Sequence, residues 1–172
     1  GLLVFLSSTV CAQWQPDQRL TSDTASSVFV TTCPWSIAAS GDTVHVVWRD
    51  SRDGNNEIYY KRSTDGGTLW GTDVRLTNDT SYSSTPCIAV QGALVCVAWN
   101  DQRSGENEIY GKRSSDAGEH WGEDVRLTNE GVLAGTACLA MTGSMVHLVW
   151  RDSRTGVPQV FYKHSTDGGL VW

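Results

Sequence analysis

Ser63-Thr64-Asp65-Gly66-Gly67-Thr68-Leu69-Trp70 is a segment that occurs in three versions in this chain of 172 residues. The second and third versions begin at Ser114 and Ser165, so consecutive versions are 51 residues apart. The same step links three tryptophans, three aspartates and three arginines: Trp48, Trp99 and Trp150; Asp50, Asp101 and Asp152; Arg52, Arg103 and Arg154. A fixed period of this length indicates stacked structural repeats.

Each repeat contains four runs that are typical of short antiparallel strands. In the first repeat they are residues 36–39, 43–48, 57–62 and 70–77, which we call strands A, B, C and D. Strand B carries apolar residues on both of its alternating faces, as expected where sheets stack face to face. The sequence therefore predicts an all-β protein, a β-propeller of four-stranded antiparallel blades.

Residues 14–21 match strand D but lack the three strands that precede it in the repeats. In a closed propeller, such a strand completes the last blade. We expect this orphan strand to open a propeller region at 13–172, with repeats at 22–77, 78–128 and 129–172. About three blades are fewer than the roughly four to eight of closed propellers. Either the chain is a fragment of a six- or seven-bladed propeller, the interpretation we favour, or two copies assemble into six blades.

Residues 1–12 form an uncharged apolar stretch that ends in small residues. This pattern predicts the remnant of a secretory signal peptide, with Val10 and Ala12 at the cleavage site. A lipoprotein with Cys11 as the modified residue is the alternative. Both interpretations predict a secreted or cell-surface protein, and the stretch is too short to span a membrane. The net charge of -6 is spread along the chain, which argues against a nucleic-acid partner.

The repeated pattern Ser-x-Asp-x-Gly-x-x-Trp resembles the Asp box, or BNR repeat, of sialidase-like β-propellers. The resemblance covers residues 14–172, and its box residues are Ser63, Asp65, Gly67, Trp70, Ser114, Asp116, Gly118, Trp121, Ser165, Asp167, Gly169 and Trp172. It implies that the box lies on the face opposite the active centre. We expect a structural role, because Asp65 can accept hydrogen bonds from turn amides and glycine permits positive φ. Catalytic or calcium-binding box aspartates are the alternative.

The opposite face is built by the B–C and D–A connections. It carries the candidate ligand residues Arg52, Arg103, Arg154, Asp50, Asp101 and Asp152. The resemblance implies that a sialidase needs three arginines on the substrate carboxylate, a Tyr–Glu pair as nucleophile and an Asp as acid/base catalyst. An Asp and an Arg two residues apart in every blade fit a structural ion pair better. The sequence also lacks the Arg-Ile-Pro motif of sialidases, so we assign no catalytic residue.

The first repeat is five residues longer than the second, and the insertion carries Cys33-Pro34-Trp35. An exposed Trp35 could stack on a sugar ring. Packing beneath the longer loop is the simpler interpretation.

Four cysteines remain if the signal is removed with Cys11. If Gln91-Gly92 forms a two-residue turn, Cys87 faces Cys96, and the pair forms either a disulfide or two packed thiols. Cys96 shares its repeat position with His45 and His147, which favours parallel packing sites over a metal site. We therefore predict neither a metal nor a cofactor.

Two function classes follow from these observations. The first is an exported, non-catalytic propeller that binds a glycan or an extracellular protein. The second is an exo-α-sialidase or related glycoside hydrolase with catalytic residues outside this stretch. We favour binding, because the blades are nearly identical and no unique set of carboxylates and arginines stands out. Self-assembly is a further expectation if the chain is complete.

Overall fold

The computed structural model describes residues 16–29, 35–129 and 134–172. Within these ranges the ordered secondary structure consists of β-strands. The strands are β1 (Ser27–Val28), β2 (Ile37–Ser40), β3 (Thr43–Asp50), β4 (Glu57–Ser63), β5 (Val74–Arg75), β6 (Ser83–Gln91), β7 (Leu94–Asp101), β8 (Glu108–Ser114), β9 (Val125–Arg126), β10 (Gly135–Thr142), β11 (Met145–Asp152) and β12 (Gln159–Ser165). The predicted signal segment and Cys33 lie outside the described residues.

The strands form three antiparallel sheets, one for each repeat. Blade 1 contains β1 to β5, blade 2 contains β6 to β9, and blade 3 contains β10 to β12. Within a blade, strand A pairs with B, B with C and, in blades 1 and 2, C with D. The predicted all-β fold of four-stranded propeller blades is confirmed. Strand D is shorter than predicted, since only two residues of it pair with strand C in each of blades 1 and 2.

Strand A is interrupted at the same place in every blade. In blades 2 and 3 a register irregularity follows Ser84 and Gly135, and Thr85 and Thr136 have positive φ. In blade 1 the strand is split into β1 and β2, which both pair with β3. The insertion of the first repeat thus falls where the ladder is already broken, and a bulge is a position at which a strand accepts extra residues.

The hydrophobic core lies between consecutive blades. We call the side of a blade that meets the next blade its trailing face, and the opposite side its leading face. At the first junction, Val47, Ile58 and Tyr60 of blade 1 pack with Val97 and Trp99 of blade 2. At the second, Ala98 and Ile109 of blade 2 pack with Leu148 and Trp150 of blade 3. Strand B is therefore buried on both faces within the stack, as its pattern predicted.

Residues 16–21 lie against the leading face of blade 1. The Leu20 carbonyl accepts a hydrogen bond from Lys61 Nζ at 2.5 Å. Equivalent contacts join Lys112 to the Leu76 carbonyl and Lys163 to the Leu127 carbonyl, in each case from one blade to strand D of the blade before it. Residues 16–21 thus occupy the position of a preceding strand D, but no strand is formed there, because a strand requires a pairing partner.

Candidate functional site

The blades have two chemically distinct ends. The Gly66 amide in the first Asp box donates to the Asp42 carbonyl in the A–B hairpin, at 2.8 Å. The boxes and the A–B hairpins therefore share one end of the blades, which we call the box face. The B–C and D–A connections lie at the other end, which we call the loop face. Strands A of neighbouring blades contact each other, so strand A forms the inner edge of the stack.

The Asp box is a closed set of hydrogen bonds within one turn. In blade 1, the Ser63 hydroxyl donates to Asp65 Oδ1 at 2.7 Å and accepts from the Gly67 amide at 2.9 Å. Asp65 Oδ1 also accepts from the Leu69 amide, and Trp70 Nε1 donates to the Gly67 carbonyl. Gly66 and Gly67 both have positive φ. The hydrogen bonds from the Leu69 amide and the Ser63 hydroxyl lower the pKa of the Asp65 carboxyl.

The other boxes repeat this turn, with Ser114–Asp116 and Ser165–Asp167 as the hydroxyl–carboxylate pairs. The box aspartates accept hydrogen bonds from the amides of their own turns, the geometry expected of residues that stabilise a turn. Among the described residues, no group of His, Cys, Asp and Glu side chains is arranged to hold a metal ion.

On the loop face, the predicted Asp–Arg pairs form one network per blade. Asp50 is fully buried and accepts hydrogen bonds from Trp48 Nε1 at 2.9 Å and from Arg52 Nη2 at 2.7 Å. Trp99 and Arg103 bind Asp101 in the same way, and Trp150 and Arg154 bind Asp152. The network fastens the start of each B–C connection to the end of strand B.

The arginines of these pairs are engaged within their own blades. Arg52 Nη1 also binds Asp73 at 2.7 Å, and its guanidinium lies over the Tyr59 ring at 4.3 Å. Arg103 binds Asp124 and lies over Tyr110, while Arg154 lies over Phe161. Each guanidinium is therefore engaged by a carboxylate and an aromatic ring of its own blade.

The aspartates of the pairs are held in the ionised form. Burial raises the pKa of the Asp50 carboxyl, but hydrogen bonds from Arg52, Trp48 and Ser27 outweigh it and hold the pKa well below its usual range. Asp101 and Asp152 have lowered pKa values through the same balance of burial against hydrogen bonding. A carboxylate with a lowered pKa is a poor proton donor near neutral pH. The geometry supports the structural interpretation of the Asp–Arg pairs.

A different arginine on the loop face is held by a neutral partner. Arg49 Nη1 donates to the Tyr82 hydroxyl at 2.5 Å, across the junction between blades 1 and 2. Arg49 is partly exposed and the Tyr82 ring is exposed. The sequence pattern did not predict this pair. The available signal was that repeat position 49 holds Arg49, Asn100 and Arg151, so it departs from the strict repeat.

The backbone around Tyr82 is fixed on every side. Asn55 Nδ2 donates to the Ser81 carbonyl at 3.0 Å, and the Ser83 amide donates to the Asn56 carbonyl at 3.0 Å. The Tyr82 carbonyl itself accepts from the Gln102 amide. An exposed aromatic ring on a rigid backbone, next to a guanidinium without a carboxylate contact among the described residues, is a preorganised polar and aromatic surface.

Trp35 lies on the inner edge of blade 1, where its carbonyl accepts a hydrogen bond from the Ile88 amide of blade 2 at 2.9 Å. Its side chain is 54% exposed. The interpretation that Trp35 packs beneath the insertion is therefore wrong, and an exposed ring is what the structure has at this position.

The expectation that Cys87 faces Cys96 is also wrong, so the disulfide alternative does not hold. Cys96 is a buried free thiol, and burial raises its pKa to about 11. In the β6–β7 ladder, Gln91 pairs with Leu94, so Cys96 faces Ala89 and Cys87 faces Ala98. The turn residues are Gly92 and Ala93, one position later than expected, which moves the two sulfurs out of register.

The class defined by this architecture is the Asp-box β-propeller of the sialidase-like type. No protein-family model matches the chain, and a search of curated proteins gave no significant match. Solved structures do match it. One is the GH93 α-L-arabinofuranosidase of Fusarium graminearum in complex with arabinobiose, with a TM-score of 0.57 and 16% identity over 78% of this chain and 45% of that chain.

Two further structures have the same fold. The α-L-arabinanase of Penicillium chrysogenum complexed with arabinobiose has a TM-score of 0.56 and 16% identity over 79% of this chain and 45% of that chain. Trypanosoma rangeli sialidase in complex with 2,3-difluorosialic acid has a TM-score of 0.55 and 14% identity over 80% of this chain and 29% of that chain. The chain thus spans less than half the length of these structures, and the likeness establishes the fold.

Proposed function

We propose that this chain is a carbohydrate-binding part of an exported Asp-box propeller, with the loop face as the contact surface. The Arg49–Tyr82 pair is the observation that carries the proposal. A tyrosine ring offers a flat apolar surface to the C–H face of a sugar, and a guanidinium donates hydrogen bonds to hydroxyl or carboxylate oxygens. Trp35 adds a second exposed ring at the inner edge of blade 1.

An acidic sugar is the ligand that this pair suits best. Arg49 has a neutral hydroxyl partner, so a carboxylate can approach it without displacing an ion pair. Arg52, in contrast, already contacts Asp50 and Asp73. In this role the described residues bind the sugar and take no catalytic step.

The binding test uses this chain with sialyllactose as an acidic probe and arabinobiose as a neutral probe, measured by calorimetry or by NMR titration. We expect Arg49→Ala and Tyr82→Ala each to weaken binding of the acidic probe by at least about tenfold, the loss of one charge-assisted hydrogen bond or one stacked ring. Arg151→Ala, at the same repeat position in blade 3, is the matched control. The absence of binding to both probes, or an equal loss in the control, contradicts the proposal.

Glycoside hydrolysis is the second candidate, because the solved structures that share the fold are named as an arabinofuranosidase, an arabinanase and a sialidase. Fluorogenic sialosides and arabinosides measure it directly. Turnover by the complete protein that disappears in folded Arg52→Ala, Arg103→Ala or Arg154→Ala variants would favour hydrolysis over non-catalytic binding. It also makes those arginines substrate ligands, against the structural role proposed above.

Export is proposed from the apolar residues 1–12. Among the described residues, no helix has the length and apolarity needed to cross a membrane. N-terminal sequencing of the mature protein tests export, with a first residue of Gln13 expected. A lipid-modified Cys11 at the N-terminus supports the lipoprotein alternative, and an intact N-terminal stretch contradicts both.

A further inference from the structure

The chain segment that carries Tyr82 is fastened to blade 1 by one side chain. We call residues 78–82, which lead from strand D of blade 1 into strand A of blade 2, the Tyr82 segment. Asn55 Nδ2 in the B–C connection of blade 1 donates to the Asp79 carbonyl and to the Ser81 carbonyl, both at 3.0 Å. The contact is partly buried, so each hydrogen bond is stronger than it would be in open water. One amide thus holds the segment at two points.

The other backbone hydrogen bonds of the Tyr82 segment come from the segment itself or from blade 2. The Ser81 amide donates to Asp79 Oδ1 at 2.8 Å, and the Tyr82 carbonyl accepts from the Gln102 amide at 3.2 Å. Neither of these contacts fixes the segment relative to blade 1, where Arg49 lies. The two hydrogen bonds from Asn55 do so, and they therefore control the position of the Tyr82 ring beside the guanidinium.

A backbone contact next to Asn55 belongs to the frame that both junctions share. The Asn56 carbonyl accepts from the Ser83 amide at the first junction, and the Asn107 carbonyl accepts from the Ala134 amide at the second, both at 3.0 Å. This contact joins consecutive blades whatever the side chains are. It remains when the Asn55 amide is removed, so the two blades stay joined while the Tyr82 segment loses its own attachment.

The side-chain contact, in contrast, is specific to the first junction. Three repeat positions differ together between the two junctions: Arg49, Asn55 and Tyr82 at the first are replaced by Asn100, Glu106 and Leu133 at the second. An ionised glutamate only accepts hydrogen bonds and cannot hold backbone carbonyls, and a leucine has no hydroxyl for a guanidinium. The Asn55 amide is therefore part of the arrangement that contains Arg49 and Tyr82, and it is not part of the repeated frame.

We propose that Asn55 is a positioning residue of the sugar site, whose amide fixes the Tyr82 ring beside Arg49 before a ligand arrives. Since Arg49 and Tyr82 form the proposed sugar-binding surface, this role rests on the proposed function. A loose segment would have to be ordered when the sugar binds, and the lost conformational entropy would weaken binding. The Asn55 amide is occupied by two carbonyls, so it acts through Tyr82 and not by contact with the sugar.

Hydrogen exchange of the ligand-free protein, followed by NMR, tests the positioning directly. Asn55→Ala removes both donors without adding a charge near Arg49. We expect the Ser81 amide to exchange at least about tenfold faster in this variant, because the Tyr82 segment opens more often once two hydrogen bonds are lost. The Ala134 amide, which donates to the Asn107 carbonyl at the second junction, should keep its wild-type rate.

Calorimetric titration with sialyllactose and arabinobiose tests the effect of the positioning on binding. Asn55→Ala should bind sialyllactose at least about fivefold more weakly, with the loss in the entropy of binding, because Arg49 and Tyr82 still make their contacts in the complex. The ratio of the affinities for the acidic and the neutral probe should not change, because Arg49 keeps its charge. Glu106→Ala, at the same repeat position in blade 2 and exposed, is the matched control and should behave as the wild type.

The outcomes separate the role of Asn55 from the proposed function. A wild-type chain that binds neither probe overturns the proposed function, and the role of Asn55 with it. Wild-type binding that is equally tight in Asn55→Ala, an unchanged exchange rate of the Ser81 amide, or an equal loss of affinity in Glu106→Ala overturns the role of Asn55 alone.

Discussion

The junction between blades 1 and 2 and the junction between blades 2 and 3 use the same repeat positions with different chemistry. At the first junction, His45 Nδ1 and the Tyr60 hydroxyl are hydrogen-bonded at 2.7 Å, and the Tyr60 ring meets Trp121 edge-on with centroids 4.9 Å apart. At the second, Cys96 and Gly111 take the positions of His45 and Tyr60. Leu127 lies within contact distance of Gly111 and occupies the space of the missing ring.

The frame around the junctions is nevertheless the same. Each of blades 1 to 3 has an Asp box with a Ser–Asp hydrogen bond and a buried aspartate bound to an arginine two residues later. The repeated polar residues thus hold each blade together, while the side chains between blades vary as long as they fill the space. The two arginines differ in the same way: Arg52 belongs to the ion pair that every blade repeats, whereas Arg49 lies at a position that varies between blades.

The largest expected difference between the junctions concerns a box glycine. Gly118 has a φ of 81°, and a methyl group there would lie 2.7 Å from Tyr60 Cζ and closer still to the hydroxyl. Gly169 has a φ of 87°, and a methyl group there would meet Cys96 Sγ at 3.4 Å. We expect Gly118→Ala to lower the free energy of unfolding by about 3 kcal/mol, and Gly169→Ala by about 1 kcal/mol from backbone strain alone.

Urea unfolding of both glycine variants at pH 7 measures this difference. Equal losses would mean that blade 1 and blade 2 separate easily enough to accept the methyl group. The first junction would then not be more tightly packed than the second.

A smaller effect is expected from the phenol groups. Tyr60→Phe removes the hydroxyl that binds the buried His45, and the loss of a buried hydrogen-bond partner costs about 1–2 kcal/mol. Tyr162 binds His147 in the same way in blade 3, but this pair is exposed. Water can replace the Tyr162 hydroxyl, so Tyr162→Phe should cost less than about 0.5 kcal/mol. Thermal unfolding of the two variants in parallel would contradict this interpretation if their losses were equal.

The fold could be predicted because the sequence contains the pattern of strands three times, once in each repeat. The β6–β7 turn could not be placed from Gln91-Gly92 alone. The repeat did hold the information: Gly41, Gly92 and Gly143 each open their A–B turn with positive φ. Alignment of the three glycines gives the observed register and places Cys96 opposite Ala89.

The candidate site was less accessible to sequence reasoning. The Asp–Arg pairs are visible because both residues lie in one repeat unit, two positions apart. Arg49 and Tyr82 lie on different blades, 33 positions apart, and only the stacking of blades brings them together. The exposure of Trp35 is likewise a tertiary property, because Pro86 and Ala137 are buried at its repeat position.

The smallest expected effect is the pH dependence of the first junction. Burial, followed by the charge of Arg62, lowers the pKa of His45 from its ordinary value near 6.5 to about 4. Between these values the unfolded chain binds a proton that the folded chain excludes, so this contribution to stability is complete above pH 6.5 and decreases as the pH falls toward 4. Urea unfolding between pH 7 and pH 5 should therefore show a midpoint that falls with pH, and the fall should be smaller in His45→Gln. His147→Gln, at the same repeat position in blade 3, is the matched control and should keep the wild-type dependence, since its ring is partly exposed and lies outside both junctions. A His45→Gln variant with an unchanged pH dependence would show that the first junction admits water to the imidazole, and the contrast between the two junctions would then be one of shape alone.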